Sequence, residues 1–396
     1  MTNTKKSRIG LLIVILLSYF VVGFPDGAFT VSWLGISEDL SLTIAHSGYI
    51  LVGYSVTYTL AGVILAWLNR YMKLQTIYLL GLVIMGSGFI WLALSPNFFM
   101  VITAIAVYGF GTGAMASSMN SYMAKHFSAR HNNWMHCFWG GGASVSPIIM
   151  SQLMVIFSWR AGYYVITGIM GLVAIILLVS MYKKVWINDR ENDKALEKTE
   201  QKTTIVQKIY LTKKWHQVVE ILTFFFLGGT DYTLVFFTGM VLMERGLEFE
   251  AVALFSTIYY VCMTLGRMFF GWVAKWLKEV PIVRIGCALA IAGIGVLYST
   301  SNIVGMALTG FGLAPLLPTL VSDTSNRFTP HIISKLVGYE LAAFGAGIAA
   351  LFFITSRVLE FVSLEALFPI GLTFIVLVFF CNEVLQRAVR QTSMHQ

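Results

Sequence analysis

Two acidic residues lie inside long apolar segments, where a carboxylate is energetically costly. Asp26 lies in the apolar run of residues 9–33, and Asp231 lies in a second run, residues 215–242. An Asp at the centre of a membrane-spanning helix costs roughly 2.5–3.5 kcal/mol, so such a residue usually faces protein or water. Because burial favours the neutral acid and a nearby cation or ligand favours the carboxylate, such groups can exchange protons. The two acids therefore predict a proton-exchanging site inside a membrane.

The composition supports a membrane setting. Of the residues, 57% are hydrophobic and 12% are charged, and the mean hydropathy is +0.76. A soluble domain is about a quarter charged, so this chain lacks the charge that a soluble surface needs. The long apolar runs do not alternate with a period of two, which favours helices over barrel strands. We therefore expect an all-α, multi-pass membrane protein.

Twelve apolar segments are long enough to cross a bilayer, since about 20 residues span its hydrocarbon layer. The predicted spans are residues 9–34, 48–68, 76–94, 98–124, 134–157, 161–182, 215–242, 250–274, 281–300, 303–322, 336–356 and 366–386. With the N-terminus in the cytoplasm, the cytoplasmic segments hold 23 of the 27 Lys and Arg residues. This asymmetry predicts that both termini are cytoplasmic in the inner membrane. It also explains the net charge of +8 without a nucleic-acid partner.

The chain contains an internal repeat. Gly23 and Asp26 in the first span match Gly228 and Asp231 in the seventh, 205 residues later. Three further glycine patterns recur at offsets of 209, 201 and 204 residues, in spans two and eight, four and ten, and five and eleven. We therefore predict two pseudo-symmetric six-helix bundles, at residues 1–182 and 215–396, joined by a hydrophilic cytoplasmic linker, residues 183–214.

Several local motifs together resemble the major facilitator superfamily from about residue 9 to residue 386, and most closely its fucose-galactose-glucose:proton symporter type and related bacterial permeases. The motifs are Gly23-Phe24-Pro25-Asp26-Gly27-Ala28-Phe29 followed by Trp33, His136-Cys137-Phe138-Trp139-Gly140-Gly141-Gly142-Ala143 with Pro147, Gly266-Arg267 with Gly271, and Gly312-Leu313-Ala314-Pro315-Leu316-Leu317-Pro318-Thr319. The resemblance implies a substrate site near the bilayer midplane between two halves that rock against each other.

The chain also departs from that family's patterns. In the loop after span two, Ala66 stands where the family normally has Asp, and Asn69 replaces a glycine, leaving Arg70. Sugar symporters of this type resemble one another in an acid of span four. Ala116 occupies that position here, with Asn120 one turn later.

Candidate functional residues follow from position and chemistry. The proton-coupling candidates are Asp26, Asp231, Glu340 and His136, of which Asp26 is the principal one. Each acid could instead pair structurally, and Glu340 and His136 could reach interfacial water. Arg267 could neutralise an acid or extend to the inner boundary. The candidates for binding a polar solute are Tyr54, Asn120, Asn133, Trp139, Tyr232, Tyr259, Arg267 and Tyr339.

These patterns predict a secondary active transporter: proton-coupled symport of a small polar solute, a sugar being one candidate, by a monomer using alternating access. Phosphate-loop, HExxH and GxSxG motifs are absent from the sequence, and dispersed cysteines support no metal site. We therefore expect no enzyme activity, metal or cofactor.

Two alternative functions stay open. One is a drug or metabolite efflux antiporter, although Ser146-Pro147-Ile148-Ile149-Met150-Ser151 lacks the final glycines of that group. The other is a non-transporting sensor or lipid flippase.

Overall fold

A computed structural model describes most of the chain. The described residues are 3–68, 71–127, 129–183, 185–186, 211 and 213–394. The predicted linker, residues 183–214, therefore lies almost entirely outside the described residues, as does Arg70. Within the described residues the chain is helical, and the pairing of Leu211 with Phe328 is an isolated β-bridge rather than a strand. The all-α prediction is confirmed.

The first six helices fill the N-terminal part of the sequence. They are α1 (Asn3–Asp39), α2 (Ile44–Leu68), α3 (Leu74–Ala93), α4 (Phe98–His126), α5 (Ala129–Ile156) and α6 (Trp159–Tyr182). The remaining helices are α7 (Lys214–Glu244), α8 (Phe249–Val273), α9 (Glu279–Thr300), α10a (Ile303–Leu313), α10b (Leu316–Arg327), α11 (Pro330–Phe361) and α12 (Leu367–Met394), with a 3-10 turn at Leu364–Ala366.

The helices match the twelve predicted spans. Eleven segments among the described residues are long and apolar enough to cross a membrane, with α10a and α10b forming one of them. The 25-residue α2 is the twelfth long helix of the described part. The tenth span is interrupted near Ala314 and Pro315, since Pro315 and Pro318 cannot donate backbone hydrogen bonds. Pro25 and Pro147, by contrast, lie inside continuous helices.

The helices form two compact units. The first comprises Met1–Asp26 and Gly53–Val206, and the second comprises Gly27–Val52 and Gln207–Gln396. Residues 27–52 are held in the second unit by polar and aromatic contacts. The backbone N–H of Ala45 donates to the Glu360 carboxylate at 2.5 Å, and the Arg357 guanidinium lies 4.8 Å from the centre of the Tyr49 ring. Asp26 is thus the last residue of α1 that packs in the first unit.

Glycines allow α1 and α5 to cross at backbone contact in the first unit. A Cβ atom added to Gly23 would lie 2.0 Å from the carbonyl oxygen of Trp139, and one added to Gly142 would lie 1.7 Å from that of Phe20. No side chain fits at such distances. The crossing therefore fixes Trp139 one turn away from Asp26 across the helix pair.

The second unit repeats this crossing between α7 and α11. A Cβ atom on Gly228 would lie 2.2 Å from the carbonyl oxygen of Phe344, and one on Gly347 would lie 1.8 Å from that of Phe225. All four residues lie 205 positions after their counterparts in the first unit. The structure therefore supports the sequence repeat.

The structural repeat corrects two of the sequence offsets. Because Gly347 is the counterpart of Gly142, α5 and α11 are related by 205 residues rather than 204, and Glu340 is not the equivalent of His136. The carbonyl oxygens of Tyr54 and Tyr259 face Gly109 and Gly310 respectively. These contacts relate α2 to α8 by 205 residues rather than 209.

Gly347→Ala should destabilise the protein by about 1–3 kcal/mol, because the new methyl group must push α7 and α11 apart. Gly345→Ala is the matched control on the same helix, since no atom lies within 4 Å of its Cβ position. It should be neutral or stabilising by about 0.5–1 kcal/mol through helix propensity. Thermal unfolding of the purified variants in detergent measures both. Equal midpoints would contradict the close crossing.

Candidate functional site

Asp26 is held by two hydrogen-bond donors from neighbouring helices of the first unit. The indole N–H of Trp139 on α5 donates to its Oδ2 at 2.9 Å, and the hydroxyl of Tyr108 on α4 donates to its Oδ1 at 3.4 Å. The Asp26 side chain is only partly buried. Hydrogen bonds to a carboxylate are stronger than neutral ones, so both donors stabilise the ionised acid. A partly accessible, preorganised carboxylate of this kind can accept a proton, or a hydrogen bond from the hydroxyl group of a ligand.

Aromatic rings extend the site from Asp26 along α2 and α4. The Tyr54 ring stacks on the Tyr108 ring with 5.1 Å between centroids, and Tyr58 lies 5.8 Å from Tyr54. Aromatic faces beside a hydrogen-bonding group are typical of sites for polar organic ligands, which have an apolar face and polar edges. The sequence predicted Tyr54 and Trp139 as binding candidates, and the structure brings both close to Asp26 or its partner Tyr108.

A second polar pair lies on the same side of the first unit. The Nε2 atom of His136 on α5 is 3.2 Å from the Oδ1 atom of Asn120 on α4, and the imidazole packs edge-on against Tyr19 at 6.1 Å between centroids. His136 lies one turn before Trp139, so the two residues share a face of α5. Asn120 and His136, predicted for different roles, are therefore neighbours.

Asp231 on α7 forms the corresponding site of the second unit. The Tyr259 hydroxyl on α8 donates to its Oδ1. Arg267, two turns further along α8, interacts electrostatically with both residues, and its Nη2 also lies 3.7 Å from the Met263 sulfur. Tyr259 and Tyr54 are repeat equivalents, so each unit places an aspartate of its first helix near a tyrosine of its second.

The structure assigns the three remaining predicted residues to neither of these groups. Tyr339 on α11 is 49% exposed and has the Lys335 ammonium 5.6 Å from its ring centre. Tyr232 follows Asp231 and is partly buried. The side chain of Asn133 lies outside the described residues.

The sequence prediction missed two features of the polar interior. One is Tyr108, which directly precedes Gly109 within an apolar span and has no sequence feature that distinguishes it from a packing aromatic residue. The other is a group that we call the polar cluster, within the second unit: Glu220 on α7, Asp323 and Arg327 on α10b, Glu340 on α11, and Asn382 and Gln386 on α12. Glu340, a predicted proton-coupling residue, therefore lies in this cluster.

Arg327 lies within a helix, although the predicted tenth span ends at residue 322. Its side chain is 1% exposed, because α10b continues to Arg327 and places the guanidinium between two carboxylates. It contacts Glu220 at 2.8 Å and Asp323 at 2.5 Å. The i, i+4 spacing of Asp323 and Arg327, and an acid inside the seventh apolar span, were the available sequence signals.

Two polytopic bundles related by a 205-residue repeat define a twelve-helix membrane transporter rather than an enzyme. The sequence model of the Major Facilitator Superfamily matches residues 15–352. The chain therefore belongs to the Major Facilitator Superfamily, and it is a multi-pass membrane protein that transports small molecules.

Comparisons with individual proteins agree with this family. The chain is 22% identical to the hexuronate transporter of Bacillus subtilis (strain 168) over 317 residues, covering 76% of this chain and 73% of the relative. It is 22% identical to the glucose/mannose transporter GlcP of the same organism, covering 76% of each, and 21% identical to the sialic acid transporter NanX of Escherichia coli (strain K12), covering 67% and 66%.

Solved structures with low sequence identity share the fold. The peptide transporter POT in complex with sulfate has a TM-score of 0.74 at 14% identity, covering 96% of this chain and 95% of that one. The nucleoside transporter NupG has a TM-score of 0.73 at 11% identity, covering 96% and 99%.

Proposed function

We propose that this protein is a proton-coupled symporter of a small neutral sugar. It works as a monomer in the inner membrane, with both termini in the cytoplasm, by alternating access of its two halves. Asp26 is the principal proton-coupling acid and Asp231 the second. The observation that carries the proposal is the partly accessible Asp26 carboxylate between the Trp139 indole and the Tyr108 hydroxyl.

The environment of Asp26 supports proton exchange. Ionised Asp26 is stabilised by the two donors, whereas protonated Asp26 avoids placing a charge in a low-dielectric interior. Arrival of a substrate or a change of exposure can then shift the balance between the two forms. Asp231 has an equivalent position and a tyrosine donor, which supports a second proton-coupling role.

The chemistry around Asp26 also supports a sugar substrate. A carboxylate accepts hydrogen bonds from sugar hydroxyls, and the faces of Trp139 and Tyr54 suit the apolar C–H face of a pyranose. Asn120 and His136 offer further hydrogen bonds. Relatives named for hexuronate, glucose/mannose and sialic acid transport make sugars the first class to test. We favour a neutral sugar over a sugar acid because a substrate carboxylate would meet Asp26.

The direction of coupling is tested in de-energised proteoliposomes that contain the purified protein. Adding glucose or mannose should make the external medium more alkaline, because symport draws protons inward with the sugar. Glucuronate should give a smaller change. Acidification would indicate an antiporter, and binding without any pH change or flux would indicate a sensor. Either outcome would contradict the proposal.

Trp139→Phe should reduce sugar-dependent proton uptake roughly 10–100-fold. It keeps an aromatic face but removes the N–H donor to Asp26, and a hydrogen bond to a charged group contributes about 1.5–3 kcal/mol. Trp134→Phe is the control on the same helix, since Trp134 is 42% exposed and should give near-normal rates. Initial rates of uptake measure the difference, and similar rates for both variants would contradict a role for the Asp26–Trp139 hydrogen bond.

A further inference from the structure

The polar cluster buries more negative than positive charge. Glu220 and Glu340 are fully buried, Asp323 is 4% exposed and Arg327 is 1% exposed. Three carboxylates therefore share one guanidinium in the described part of this interior. If all three were ionised, two negative charges would remain uncompensated. Burying an unpaired carboxylate costs several kcal/mol, so the folded protein needs another positive charge here.

The hydrogen bonds show which carboxylates have a positively charged partner. Arg327 binds Glu220 through Nη1 at 2.8 Å, and through Nη2 it binds Asp323 and the Asn382 carbonyl oxygen, both at 2.5 Å. The Gln386 amide donates to the same Asp323 oxygen, Oδ2, at 2.8 Å. Asp323 is thus compensated by a cation and an amide.

Glu340 has no positively charged hydrogen-bond partner among the described residues. Its Oε1 accepts a hydrogen bond from the Thr324 hydroxyl at 2.9 Å, whereas its Oε2 is buried without a partner among the described residues. Glu220 also keeps one buried oxygen, Oε1, unpartnered there. Thr324 is also close enough to interact with the Glu220 carboxylate. Each of these two acids thus keeps one buried oxygen without a partner among the described residues.

We infer that Glu340 carries a proton in the folded protein, with the neighbouring Glu220 carboxylate stabilising that protonated state. The polar cluster is then a third proton-binding position, separate from Asp26 and Asp231. This inference does not depend on the proposed symport, since it follows from the charge balance of the fold. Among the described residues, the other titratable or charged groups around Glu340 and Glu220 are Asp323 and Arg327 on α10b, and Cys381 on α12.

A proton fits this position better than a metal ion. The described residues contain no group of three or more His, Cys, Asp or Glu side chains that could hold a metal ion. Arg327 already occupies one oxygen each of Glu220 and Asp323, which leaves too few oxygens for the six or more ligands of a hard cation. A proton needs only one of the unpartnered oxygens.

Infrared difference spectroscopy tests the inference directly. The sample is the full chain carrying Asp26→Asn and Asp231→Asn, so that neither proposed coupling acid contributes. The carbonyl stretch of a neutral carboxylic acid should be present at neutral pH and should disappear when Glu340→Gln is added. Glu383→Gln is the matched control on α12, because Glu383 is paired with Arg284 at 2.7 Å, and it should leave the band intact. Absence of the band from the starting protein would overturn the inference.

The pH dependence of thermal stability is an independent test of Glu340 protonation, and it uses the otherwise wild-type chain. An acid that is neutral in the folded state and ionised in the unfolded state lowers stability as the pH rises. Gln cannot ionise, so the Tm of Glu340→Gln relative to wild type should become more favourable from acid to neutral pH. If the Tm difference between Glu340→Gln and wild type stays constant or becomes less favourable as the pH rises, Glu340 is ionised in the folded protein and the inference is wrong. A sodium-dependent Tm increase that Glu340→Gln abolishes would also overturn it, in favour of a sodium site.

Discussion

Asp26→Asn should abolish proton-driven accumulation of sugar while leaving sugar exchange across the membrane. A proton moving down a potential of 100 mV supplies about 2.3 kcal/mol, which corresponds to an accumulation ratio of about 50-fold. The substituted amide cannot carry the proton, so the ratio should fall to about one. Its oxygen can still accept the hydrogen bond from Trp139, so the fold and the sugar contacts should persist.

The measurement compares two assays on the same proteoliposomes. Uptake of labelled sugar under an imposed proton gradient reports coupling, and exchange of labelled for unlabelled sugar without a gradient reports binding and the conformational cycle. Asp39→Asn is the control, since Asp39 is an exposed carboxylate at the end of the same helix, and it should behave as wild type. Accumulation by Asp26→Asn would rule out Asp26 as the principal coupling acid. Loss of both activities would instead assign it to binding or folding.

The architecture could be predicted from the sequence because the membrane spans and the internal repeat each produce a strong sequence pattern. Twelve apolar runs and the Lys and Arg asymmetry predict the spans, and the recurrence of Gly23 and Asp26 as Gly228 and Asp231 predicts the repeat. Two of the other offsets were wrong, because glycines are frequent and any pair can align by chance. The contacts at Gly142 and Gly347 correct them, since backbone approach identifies equivalent positions irrespective of neighbouring residue types.

The partners of the buried charges could not be predicted in the same way. Trp139 is one of ten tryptophans, and only the crossing of α1 and α5 selects it for Asp26. Tyr108 resembles any packing aromatic of an apolar span. The polar cluster was missed because the apolar run of span ten ends near Ser322, whereas α10b continues to Arg327. Residues of α7 and α12, which are distant in sequence, balance the charges of these polar residues and form hydrogen bonds with them.

Arg327→Met should be the most destabilising single substitution in the polar cluster, at about 3–5 kcal/mol, because it leaves the Glu220 and Asp323 carboxylates buried without their cation. Methionine fills much of the same volume, so the loss reflects charge rather than a cavity. Arg284→Met is the matched control. Arg284 also pairs with a glutamate, Glu383, at 2.7 Å, but its side chain is 41% exposed, and partly solvated pairs contribute about 0–1 kcal/mol.

Compensating substitutions separate the charge effect from simple loss of packing. Adding Glu220→Gln and Asp323→Asn to Arg327→Met removes the two carboxylates that Arg327 binds, so most of the lost stability should return. The combined variant should therefore melt well above Arg327→Met alone, and the double-mutant cycles give the coupling. Thermal midpoints of the purified proteins in detergent measure this recovery of stability. If neutralising both acids gives no recovery, the guanidinium stabilises the fold by packing rather than by balancing the carboxylates of α7 and α10b.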